Sequence, residues 1–96
     1  MLFAPPVYSP GQTVLMADRA NPQVSVFVGP KTWHAVLALV PNGKRATILG
    51  MHPDGHWYEV LVATLRDPNP WGAVQGWVNV YNLAEDNFLN YLLLCS

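Results

Sequence analysis

The sequence predicts an all-β domain, a small barrel or sandwich. Nine prolines and seven glycines punctuate short apolar runs rich in Val, Leu, Trp and Tyr. Turn signals recur every eight to fifteen residues, which suits short strands joined by tight turns. The run "VSVFV" alternates, with Val24, Val26 and Val28 on one face and Ser25 and Phe27 on the other.

Residues 1–12 carry Pro5, Pro6, Pro10 and Gly11 and read as an irregular lead-in to a barrel domain over 13–96. "TVLM" (13–16) is the first expected strand, and "ADRANPQ" (17–23) is polar and breaks at Asn21-Pro22. Gly29-Pro30 ends the strand 24–28, and 36–40 is the strand-like part of "KTWHAVLALV". The turn "PNG" (41–43) leads into a strand over 44–51, and "HPDG" (52–55) turns the chain again. Strands over 56–66 and 73–80 are expected to form a hairpin across "DPNPWG" (67–72). Asn82 and Glu85 have the spacing of a helix-starting capping box. "FLNYLLLCS" (88–96) then reads as a closing strand or as continued helix. The strand is the favoured expectation, because an open barrel edge needs covering.

Three stretches in order, "VSVFVGPKTWHAVLALVPNGKRATILG", "DGHWYEV" and "GWVNVYNL", together resemble a bacterial SH3 (SH3b-type) domain. The resemblance rests on Gly29-Pro30, Trp33, Asn42-Gly43, Gly50, Trp57-Tyr58-Glu59-Val60 and Gly76-Trp77-Val78, and covers roughly residues 24–83. It implies a small five-stranded SH3-like barrel with a one-turn helix before the last strand, and a binding role without catalysis. The chain departs from the family pattern in three places. Phe27-Val28 stands where an Arg-Ser pair is usual, and Asn82 stands where the family tends to place Tyr. The hairpin between Val62 and Gly76 is long and carries Trp71 at its tip.

Strand alternation places Tyr58, Val60 and Val62 on one face and Trp57, Glu59 and Leu61 on the other. With Val60 at a core position of the resembled family, Tyr58 is expected to pack inward and Trp57 to face a groove. Trp33, Trp57, Trp77 and Tyr81 are therefore the expected ligand-binding surface, with Trp71 as an accessory contact. Flat aromatic faces stack on peptides, Pro-rich segments or glycans. The leading expectation is a non-catalytic module that binds a peptide or cell-wall-type ligand. The alternative is a structural or assembly domain that associates with itself or a partner protein through its apolar termini, above all Phe88, Leu89 and 91–94.

Composition narrows the partners. Only 11% of residues are charged and the net charge is −1, so there is no basic face for nucleic acid. The longest apolar runs fall far short of the ~18 residues a membrane span needs, and the N-terminus lacks the pattern of a signal peptide. The sequence does not fix the location: the exterior or cell envelope if a signal has been removed, otherwise the cytoplasm. Cys95, the single cysteine, allows no intrachain disulfide. His52, Asp54 and His56 crowd one turn but lack a fourth ligand, so no metal or other cofactor is expected. No hydrolase, metalloprotease or phosphate-loop motif is present, so no catalytic residue is expected.

Overall fold

A computed structural model of the chain describes residues 6–63 and 73–95. Its strands are β1 (Thr13–Met16), β2 (Gln23–Phe27), β3 (Val36–Pro41), β4 (Arg45–Met51), β5 (Trp57–Ala63), β6 (Ala73–Asn79) and β7 (Leu83–Glu85). A one-turn 3-10 helix, Val80–Asn82, precedes β7, and α1 (Phe88–Cys95) ends the chain. The strands form one antiparallel sheet in the order β3-β2-β6-β5-β4-β1-β7. β5 and β6 pair along their described length, Trp57 opposite Asn79 through Ala63 opposite Ala73, as a hairpin requires. Its tip, with Trp71, lies outside the described residues.

The core explains why this sheet curls. Val14, Met16, Val24, Val26, Val40, Ile48, Tyr58, Val60, Val62, Val78 and Leu83 form one buried cluster. That cluster draws on β3 at one end of the strand order and β7 at the other, so a flat sheet could not assemble it. The result is an all-β, barrel-like fold. Val24 and Val26 of β2 and Val60 and Val62 of β5 alternate into the core, as a half-buried pleated surface favours. Tyr8 joins the core from the irregular segment before β1, and its ring meets Tyr58 edge-on at 5.4 Å. The Tyr58 hydroxyl accepts from the Tyr8 backbone N–H at 3.0 Å, which satisfies a phenol with 0% exposure.

Two expectations are corrected. The sheet has seven strands where the resemblance implied five: β2 and β3, each expected from the sequence, ladder to each other from Gln23–Pro41 to Phe27–Val36. The closing strand is the short Leu83–Glu85, and the apolar tail after it is helix rather than strand. "FLNYLLLC" contains no β-branched residue, and Leu favours helix over strand. Asn87, not Asn82, starts it: the Asn87 side-chain oxygen accepts from the Asn90 N–H at 2.8 Å. Asn82 instead ends the 3-10 turn, and Glu85 lies in β7.

Candidate functional site

Two of the expected aromatics, Trp57 and Trp77, lie on the outer face of the β5–β6 hairpin. Alternation does send Trp57 away from Tyr58, but Trp57 is only 5% exposed and offers no open ring. Phe27 closes over it edge-on, with centroids 5.5 Å apart. Phe27 is also the register partner of Trp77, so the end of β2 is paired to β6 beside both tryptophans. Trp77 is half-buried there and meets His52 edge-on at 6.2 Å. The loop after β2 is strapped to the turn before β5 by Lys31 and Asp54, 3.2 Å apart. Trp57 is thus the centre of a small outer cluster rather than an open ring.

Trp33 is the open ring of the set, at 77% exposure. It stacks on His34 with centroids 4.0 Å apart. The His34 ring in turn lies flat against Gly29, where a Cβ would come within 2.6 Å of Nε2. A side chain at Gly29 would displace the His34 ring, and His34 braces the back of Trp33. Tyr81 is also exposed but sits on the 3-10 turn, whose start is capped by Asn79 accepting from the Tyr81 N–H at 3.0 Å. The structure therefore joins Trp57 to Trp77 through Phe27, gives Trp33 its own support on His34, and puts Tyr81 in the wall of a groove.

That groove, of about 500 Å³, runs between the loop after β1, the 3-10 turn, β7 and α1. Asp18, Arg19, Tyr81, Asn90, Leu93 and Leu94 are among its walls. Its loop is locked from within. The Asp18 carboxylate accepts from the N–H groups of Ala20 (2.9 Å) and Asn21 (3.1 Å). The Ala20 N–H is the main reason its carboxyl is held below the usual value. Asn42, from the "PNG" turn, accepts from the Asp18 N–H at 2.8 Å and donates to the carbonyls of Asp18 and Asn21 at 2.8 and 2.9 Å. Sequence reasoning passed over this wall. The signal was the pair Asp18 and Asn21-Pro22, an Asx-turn pattern, but its partner Asn42 is remote in sequence.

The histidine turn is a structural device. Asp54 accepts from the His56 N–H at 2.8 Å through one oxygen and from Lys31 at 3.2 Å through the other. These contacts, the His56 N–H foremost, pull its carboxyl down to about 2. Among the described residues no group of three metal-ligating side chains gathers anywhere.

α1 is the other outstanding surface. Phe88, Leu89, Leu92 and Leu93 are 77%, 66%, 48% and 68% exposed. Arg45 ties the helix to the barrel, its guanidinium 5.2 Å from the Tyr91 ring centre and 3.2 Å from Asp86. Asn90 adds a bond to the Glu85 carbonyl at 2.9 Å. No helix among the described residues is long and apolar enough to cross a membrane. The Cys95 side chain lies outside what is described.

Comparison with protein-family models, curated proteins and solved structures found no match.

Proposed function

We propose that this chain is a non-catalytic interaction module of the bacterial SH3 type that associates with a second copy of itself through α1. The observation that carries the association is α1: a helix with one polar residue, Asn90, that leaves Phe88, Leu89 and Leu92 in the open. Apolar helix faces are covered in stable proteins, and a contiguous exposed patch marks an interaction site. α1 carries no charged residue, so two copies of it meet without like-charge conflict. The SH3-type reading is supported by the run β7-β1-β4-β5-β6 within the sheet and by the 3-10 turn between β6 and β7. On that reading β2 and β3 elaborate the first long loop.

The test is light scattering across a dilution series. The wild-type chain is expected to exceed its monomer mass of 10.6 kDa at high concentration. The triple variant Phe88→Ser, Leu89→Ser, Leu92→Ser is expected to stay monomeric with an unchanged barrel melting temperature. A wild-type monomer at every concentration refutes the association.

A second reading, ligand binding through an aromatic surface, is favoured by Trp33 alone, whose braced ring is open to a peptide or glycan. Quenching or shift of tryptophan fluorescence on adding muropeptides or Pro-rich peptides, abolished by Trp33→Ala, is the expected result. An unchanged response in Trp33→Ala removes that reading.

A further inference from the structure

We infer that the groove between the loop after β1 and α1 binds the C-terminal carboxylate of a peptide ending in an apolar residue, with Arg19 as its anchor. The inference goes beyond the α1 contact: Phe88, Leu89 and Leu92 do not line this groove.

The first reason is charge. Lys31 and Arg45 are paired with Asp54 and Asp86, whereas the Arg19 guanidinium has no partner among the described residues. The nearest carboxylate in sequence, Asp18, is spent on its own turn, accepting from Ala20, Asn21 and the Asn21 side-chain amide. The second reason is rigidity. Asn42 pins the backbone on both sides of Arg19 through Asp18 and Asn21, so the arginine projects from a fixed turn. A guanidinium carried on a fixed backbone offers a planar, two-pronged site for a carboxylate.

The third reason is the opposite wall. Asn90, Leu93 and Leu94 lie at helical spacing and turn one side of α1 into the groove, and Tyr81 faces it from the 3-10 turn. A ligand must therefore present a carboxylate and an apolar group a few atoms apart. The last residue of a peptide carries both on one carbon. A volume of about 500 Å³ is in the range of small-ligand sites. Arg19, Leu83, Ala84 and Asn90 also line an adjoining groove of about 460 Å³, which gives the preceding peptide residues a path past β7.

The experiment is a ¹⁵N NMR titration of the full chain with acetyl-Ala-Ala-Leu as free acid, with its C-terminal amide, and with acetyl-Ala-Glu-Ala amide. The free acid is expected to shift the amides of residues 18–21, Tyr81 and Asn90 in a saturable way. The amide and the Glu peptide are expected to bind at least tenfold more weakly. Arg19→Gln is expected to remove the preference for acid over amide, and Arg19→Lys to keep part of it. Arg19 is exposed, so both variants should retain the wild-type spectrum. The serine triple variant of α1 is expected to bind as wild type, which separates this site from self-association. Equal binding of acid and amide, a preference that survives Arg19→Gln, no saturable shift at millimolar peptide, or equal binding of the Glu peptide would each overturn the assignment.

Discussion

Trp57 and Tyr58 are adjacent, both are buried, and they are buried in different places. β5 lies inside the sheet between β4 and β6, so its inner face meets the core and its outer face meets whatever crosses over it. Tyr58 takes the core and Trp57 takes Phe27. The crossing depends on Gly76. A Cβ there would lie 2.6 Å from Val26 Cγ1 and 2.8 Å from the Phe27 carbonyl oxygen. The carbonyl belongs to the β2 backbone and cannot rotate away. Gly76→Ala is therefore expected to destabilise the fold by about 1–3 kcal/mol in urea unfolding, with the β2 amides shifted most. Gly50→Ala is the control: nothing lies within 4 Å of its Cβ position, so its stability should equal or slightly exceed wild type.

Among the elements, α1 depends least on the barrel. None of Phe88–Leu94 is buried, and its links to the sheet include the Arg45–Tyr91 contact and the Asn90 bond to Glu85. A helix of eight residues is short for independent stability, so its N-cap counts for much of what holds it. Asn87→Ala removes the oxygen that accepts from Asn90. The expected cost is about 1 kcal/mol, confined to α1. Hydrogen exchange should accelerate at the amides of Asn90 and Tyr91 while those of β4 and β5 stay protected. Equal acceleration in the sheet would mean that helix and barrel unfold together. The sequence misplaced this element because two start patterns compete in it. Asn82 and Glu85 match a capping box, yet Asn82 donates to the Ala17 carbonyl at 3.2 Å and Glu85 pairs with Val14. Tertiary partners had already claimed both residues.

Across the whole molecule, the turn 52–55 and the loop after β2 are held together by one carboxylate. Asp54 has its carboxyl lowered from the usual 3.8 to about 2 by the His56 N–H first and then by Lys31 and His52. A depressed carboxyl stabilises the fold above its unfolded value and loses that contribution as pH falls through the folded value. Wild type should therefore be more stable than Asp54→Asn at pH 7. The gap should close as pH drops from about 4 to about 2, read from urea midpoints at each pH. A gap independent of pH would mean that the strap does not depend on the charge of Asp54.

Local rules made most of the strand framework legible. Alternation in Val24–Val28, the "PNG" and "HPDG" turns and the spacing of Gly-Trp-Val each act within a few residues, and β2 to β6 fall where those signals lie. The inward orientation of Tyr58, Val60 and Val62 followed from the same two-residue period. What the sequence left open were the contacts between residues far apart in the chain. Trp57 is exposed or buried according to whether Phe27, thirty residues earlier, crosses it, and the wall of the groove is fixed by Asn42 reaching back to Asp18. Periodicity states which face a side chain takes. Only the folded sheet decides what stands opposite that face, because burial is a property of the neighbours and not of the residue.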